Sequence, residues 1–170
     1  EVGDDVFNAD PTIIALQEKI ASLFRKEAAL FFPSGTMANQ AAIKLHTQPG
    51  QQLICDKWAH VYNFEGGGAA FNSGVSCFLL DGDRGMFTAN QVASAINDPH
   101  NIHLATTGLV AVENTTNKGG GACWNFEELK KQLESEGYSF KSETDSEVIA
   151  NLIQKNYELT GDVKETIMKT

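Results

Sequence analysis

An α/β fold with a mostly parallel sheet, followed by a mainly helical tail, is predicted by three features of this 170-residue chain. Short apolar runs alternate with segments of helical periodicity, which is the pattern of crossover-connected strands. Small-residue or polar clusters stand at the ends of those runs, at Ser34-Gly35-Thr36, near His60 and at Asn114-Thr115-Thr116-Asn117. From about Phe126 onward the charge density rises and the apolar runs give way to amphipathic helical spacing.

In chain order, Asp10-Pro11 is a helix start signal, and Ile13, Leu16, Ile20, Leu23 and Phe24 recur on one face of a helix ending near Arg25. The run from Ala28 to Pro33 reads as a buried strand, residues 35 to 46 as a helix, and Gln52 to Cys55 as a short strand. Val61 to Ala70 reads as a helix and Val75 to Leu80 as another strand. Thr88 caps a helix reaching Ile96, and Gly108 to Glu113 is a further apolar strand before the glycine triplet 119 to 121. In the tail, residues 126 to 133 form a helix. Thr144 or Asp145 caps the next, with Val148, Ile149, Leu152 and Ile153 on its buried side.

Bulk properties narrow the function classes. With 42% apolar and 21% charged residues the chain is long enough to bury a core. A formal net charge of -9 argues against a nucleic-acid or anionic-membrane surface. No apolar run approaches a membrane span, and no leader pattern is visible. Cys55, Cys77 and Cys123 are odd in number and widely spaced, which suits reduced thiols and a cytoplasmic location. His46, His60, His100 and His103 lack thiol or carboxylate company at metal-ligand spacing, so no metal site is expected.

The turn Pro33-Ser34-Gly35-Thr36-Met37 is the strongest chemical signal. N–H groups at a helix start lack intrahelical partners and sit at the positive end of the dipole, so such a turn suits a phosphate. The alternative is that Ser34 only caps the helix while Gly35 relieves crowding. Ligands of open parallel sheets lie past the carboxyl ends of strands. Ser34, His60 and Asn114 all follow predicted strands and are expected to share a site. Judged alone, His60 is a histidine ending a strand after Trp58, Glu65 a helix-surface residue, and Asn114 a turn residue.

Several motifs together resemble the threonine aldolase family. They are Val2-Gly3-Asp4-Asp5-Val6-Phe7 with Asp10-Pro11-Thr12; Lys26-Glu27-Ala28-Ala29-Leu30-Phe31; Pro33-Ser34-Gly35-Thr36-Met37; His60 with Tyr62 and Glu65; Gly67-Gly68-Ala69-Ala70; Ser73-Gly74-Val75; Ile102-His103; and Val112-Glu113-Asn114-Thr115 with the glycine triplet. The resemblance covers residues 1 to 127. It implies a partial aspartate-aminotransferase-like large domain, bound pyridoxal phosphate, an amino acid substrate, and cleavage of 3-hydroxy amino acids such as threonine or allo-threonine to glycine and an aldehyde. It also implies a homo-oligomer. By the same resemblance Ser34, Gly35 and Thr36 hold the cofactor phosphate, and His60 stacks on the cofactor ring and serves the substrate hydroxyl as the catalytic residue. Phe7 stands where the family often has tyrosine, and Thr116 where it often has histidine.

The family's next motifs, an aspartate that neutralises the pyridine nitrogen and the Schiff-base lysine, have no match here, so covalent attachment of the cofactor is not expected. Instead, residues 129 to 170 resemble part of the glutaminase domain of glutamine:fructose-6-phosphate amidotransferase, most densely from Glu134 to Ala150. In that family the aspartate matching Asp145 binds the amino group of glutamine. The nucleophilic cysteine at the mature N-terminus of those enzymes has no counterpart at Glu1, so Asp145 is expected to cap a helix and glutaminase activity is not expected. The organisation expected is a chimera, with an aldolase-like domain over 1–127 and a glutaminase-like helical segment over 128–170. A non-catalytic structural or interaction fragment, or a remnant of an amidotransferase, is the alternative.

Overall fold

A computed structural model describes residues 2–125, and their core is a three-stranded, all-parallel sheet in the order β2-β1-β3. The central strand β1 (Gln52–Asp56) is buried along its whole length. It pairs with β2 (Ser76–Leu80) from Gln52 opposite Ser76 to Asp56 opposite Leu80, and with β3 (Thr107–Val110) through a register irregularity after Gln52. Because successive side chains of a strand point to opposite faces, β1 feeds two cores. Leu53 and Cys55 pack with Ile43, Ala59, Ala69 and Val75, under helices α2 (Gly35–His46) and α4 (Gly68–Ser73). Ile54 packs on the other side with Leu80, Phe87, Val92 and Ala95, under α5 (Ala89–Ala95), and Trp124 closes that layer edge-on to Phe87.

Buried polar groups fasten the amino end of β1. The Gln52 amide donates to the Ala95 carbonyl at 2.9 Å and to Thr107 Oγ1 at 3.2 Å, while Asn97 Nδ2 donates to Gln52 Oε1 at 3.0 Å. At the other end the Asp56 carboxylate, 2% exposed, accepts from the backbone N–H groups of Trp58 and Gly82 at 2.8 and 2.9 Å. The strand is thereby satisfied at both ends, as a strand buried on both faces requires.

Most predicted elements are present, with instructive shifts. Helix α1 (Pro11–Phe24) starts on Asp10, whose carboxylate accepts from Thr12 and Ile13, and ends on Arg25 in the left-handed region. Thr88 caps α5 through a capping box with Gln91. The predicted helix over 61–70 is two: α3 (His60–Asn63) and α4, separated by Gly66 and Gly67 at φ of 62° and 71°, values that end a helix. Beyond Val110 only the Ala111 N–H continues the pairing, to the Ile54 carbonyl, and the chain then turns away.

One expectation is overturned. The run 28–33 is not a strand and is not buried: Leu30 is 72% exposed, and the Phe31 N–H bonds to the Gln17 side chain instead of to a neighbouring strand. The apolar face predicted for α1 is present but unpacked, since α1 has no buried residue. Both observations share a cause: no described segment supplies the strand or helix face that these residues are patterned to meet. The tail helices, Asp145 and the segment 128–170 lie outside the described residues.

Leu53 is fully buried at the centre of the sheet. Leu53→Ala is expected to lower unfolding stability by about 2–5 kcal/mol, read from urea denaturation, whereas Leu45→Ala at an 80% exposed position should change it by less than about 0.5 kcal/mol.

Candidate active site

The carboxyl ends of β1 and β3 open into a cavity of about 260 Å³ lined by Asn39, Ala59, His60, Val61, Ala111, Val112, Glu113 and Asn114. His60 is the first residue of α3, not the end of a strand. Its backbone N–H donates to Glu113 Oε2 at 2.6 Å, and the other oxygen of Glu113 accepts from the Asn117 N–H at 3.1 Å. Glu113 therefore stitches the loop after β3 to the start of α3. The His60 ring, 39% exposed, has its Nδ1 2.9 Å from Glu65 Oε1. Phe64 stands beside the imidazole with ring centres 5.4 Å apart, and the Lys118 ammonium lies over the Phe64 ring, 5.2 Å from its centre.

Glu65 is the largest departure from expectation. Read as a helix-surface residue, it is a buried one whose side chain has no solvent exposure. Its oxygens accept from Asn39 Nδ2 at 2.8 Å and Gln40 Nε2 at 2.7 Å, both on α2, as well as facing His60. Burial pushes the carboxyl up, but the bonds from Asn39, Gln40 and His60 outweigh it and hold the group below its ordinary 4.5. Two helices, α2 and α3, thus converge on one ion. Asn39 and Gln40 belonged to no motif, and Glu65 and Glu113 stood in motifs of the family resemblance without a role of their own. The sequence signal available for Glu65 was its place just before Gly66-Gly67-Gly68, where a glycine-broken helix drops the preceding side chain inward.

Ser34, Gly35 and Thr36 do not follow a strand, and they are not among the residues lining the His60 cavity. Ser34 caps α2 by accepting from the Met37 N–H at 3.1 Å, so the capping reading of this residue is realised. Ser34 and Gly35 border a separate, mainly apolar hollow of about 370 Å³ formed with Leu16, Ile20, Leu30 and Phe31. The link to His60 runs through α2. Asn39 lies five residues beyond Ser34, about 7.5 Å of helix rise, and it reaches both the cavity and Glu65. The chemistry of this helix start fits a phosphate. A Cβ built on Gly35 meets nothing within 4 Å, so the helix start has open space beside it, and with the Met37 N–H taken by Ser34 Oγ the first-turn N–H groups of Gly35 and Thr36 are the ones an anion would use. Asn114 lines the His60 cavity as expected. Thr116 is fully buried, and its hydroxyl donates to the Glu113 carbonyl at 3.2 Å, a structural role. No group of three potential metal-binding side chains occurs among the described residues, and no described helix is long and apolar enough to cross a membrane.

Because the folded-state pKa of Glu65 is lowered, its contribution to stability is fully present above about pH 4.5 and is lost as pH falls through the folded value. Between about pH 6 and pH 3 the urea midpoint should therefore fall, and Glu65→Met, less stable throughout, should fall less steeply. Gly68→Ala tests the same cluster from outside, since its Cβ would stand 2.5 Å from the Gln40 side chain. It is expected to destabilise by about 1–3 kcal/mol, with loss of the Gln40 to Glu65 bond by NMR.

The family model described as beta-eliminating lyase matches residues 1–135, and that of the glutamine amidotransferase domain matches residues 110–162. The low specificity L-threonine aldolase of Escherichia coli (strain K12) is 44% identical over 117 residues, covering 68% of this chain and 35% of the relative. Low-specificity L-threonine aldolase 1 of Arabidopsis thaliana is 35% identical over 134 residues, 77% of this chain and 37% of the relative. A solved structure of Leishmania major threonine aldolase superposes with a TM-score of 0.62 at 23% identity, over 75% of this chain and 37% of that one, which shows a shared fold. The chain spans about a third of the length of the curated relatives it matches. By its sequence match and its fold, the chain belongs to the beta-eliminating lyase family and is similar, within residues 1–135, to threonine aldolases.

Proposed function

We propose that the chain carries part of the active site of a pyridoxal-phosphate-dependent lyase that cleaves 3-hydroxy amino acids, threonine or allo-threonine, to glycine and an aldehyde. The observation that carries this reading is His60 at the mouth of the cavity past β1 and β3, with its ring held by a buried carboxylate and its backbone by Glu113. When bound, the cofactor supplies an electron-poor ring that delocalises the electrons released as the carbon–carbon bond breaks. Ser34, Gly35 and Thr36 would hold its phosphate through hydroxyls and helix-start N–H groups. His60 would present a flat face to the ring and hold the proton of the substrate hydroxyl.

Binding in this chain is proposed to be non-covalent. Among the described lysines near the site, Lys57 is paired with Asp81 and Lys118 lies over Phe64. The second reading, an interaction fragment that self-associates, is supported by the exposed apolar row Leu16, Leu23, Leu30 and Phe31. A homo-oligomer suits both readings, and the free thiols of Cys55, Cys77 and Cys123 suit a reducing cytoplasm. The overlap of the two family matches over residues 110–135 supports a chimera of a 1–127 domain and a 128–170 segment. Within that segment Asp145 is proposed as a helix cap, the glutamine-binding role of the matching aspartate being the alternative. The amidotransferase remnant has only that tail match behind it.

Titration with pyridoxal phosphate, followed by absorbance, is expected to saturate and to be reversed by inorganic phosphate. Ser34→Ala with Thr36→Ala should weaken it about tenfold or more. Borohydride treatment should leave no label on lysine. Titration without saturation would remove the basis of the reading, and a labelled lysine would make the attachment covalent.

A further inference from the structure

Glu65 is more than a buried anchor, because the donors around it decide the protonation pattern of the His60 ring. An ionised carboxylate can only accept hydrogen bonds, and the side-chain amide nitrogens of Asn39 and Gln40 can only donate. The orientation of Gln40 suits both neighbours, since an ionised Glu65 requires a donor and the other amide atom, Oε1, accepts from Asn72 Nδ2 at 3.3 Å. Its Nε2 must therefore be the atom 2.7 Å from Glu65 Oε2. With both amides donating, Glu65 is held ionised, and the imidazole nitrogen 2.9 Å from Oε1 faces an acceptor. A bare Nδ1 there would set its lone pair against that of a carboxylate that has no solvent exposure.

We propose that Glu65 is a positioning residue that keeps the proton of the His60 ring on Nδ1 and leaves Nε2 as the nitrogen that takes up or releases a proton. The proposal rests on the reading of His60 as the residue serving the substrate hydroxyl, and it gives that residue a direction. The ring cannot turn over without setting its Cδ2–H in place of Nδ1 against Glu65 and losing that hydrogen bond, and its backbone is pinned by Glu113. Asn39 and Gln40 stand one to two turns along the same helix whose start carries Ser34, Gly35 and Thr36. A single rigid element would then set both the phosphate position and, through Glu65, the working nitrogen of His60.

The test reads the tautomer directly and needs no cofactor. The protein is labelled with ¹⁵N-histidine and examined by long-range ¹H–¹⁵N NMR at a pH where the rings are neutral, with exposed His100 and His103 as internal references for an unconstrained ring. In the native protein His60 is expected to show a protonated Nδ1 and a bare Nε2, unlike the references. Glu65→Met, which removes the acceptor, should abolish the protonated Nδ1 signal and bring His60 to the reference pattern. Glu65→Gln, which keeps an acceptor but not the charge, should restore it. A native spectrum with the proton on Nε2, or a Glu65→Met spectrum identical to native, overturns the proposal. If Glu65→Met does not fold, the native spectrum alone decides between the two tautomers. Failure of pyridoxal phosphate to bind would leave this result untouched, so the two readings fail separately.

Discussion

Glu65 accepts from two residues of α2 and faces the first residue of α3, while its own carbonyl accepts from the Gly68 N–H at the start of α4 at 2.9 Å. The side-chain contacts of Asn39, Gln40 and His60 beside the cavity thus all meet at that ion. A buried carboxylate is costly unless its lone pairs are met, and here each oxygen has at least one donor within 2.9 Å. The same economy explains Gly68, where any side chain would enter the space of the Gln40 amide. What looks like a glycine-rich connector is thus the clearance that lets α2 and α4 approach the ion.

The cluster is placed by β1. Because this strand is buried on both faces and flanked by parallel neighbours, its carboxyl end is a fixed rim from which Asp56, Ala59 and His60 follow within four residues. Asp56 organises that exit by accepting from Trp58 and Gly82, and the neighbouring Lys57 is tied to Asp81 across the rim. The turn between β1 and α3 is consequently held by the strand it leaves and the loop after β2.

Much of the fold was legible in the residues, because periodicity and capping are local signals. Helix α2 begins after Ser34 and ends at His46 as expected, and Thr88 starts α5 through its reciprocal bond with Gln91. Buried runs such as Leu53 to Cys55 announced the central strand. What stayed hidden depends on partners remote in sequence. The run 28–33 has strand composition, but a strand exists only when another pairs with it, and propensity cannot report that absence. Glu65 has no periodic signature, since its burial arises from helices meeting 25 residues apart in the chain. Of the site, the motif resemblance drew attention to His60 and Asn114, which line the cavity, and to the Ser34 turn, which is joined to it only through α2. It could not reveal that Asn39 and Gln40 connect the two.

The all-parallel pairing of β1 also shapes how the chain comes to be folded. Neither neighbour of this strand can be supplied by a hairpin: β2 arrives only after α3 and α4 have been made, and the β3 residue Thr107 that meets Gln52 lies 55 positions downstream. Loop closure must precede any return from the central pairing, which places these contacts late and makes the route slow. During synthesis, Leu53, Ile54 and Cys55 leave the ribosome well before the partners that cover them, as an apolar stretch with both edges open. The strand that gives the finished site its rigidity is, for that interval, the segment most exposed to association with other chains.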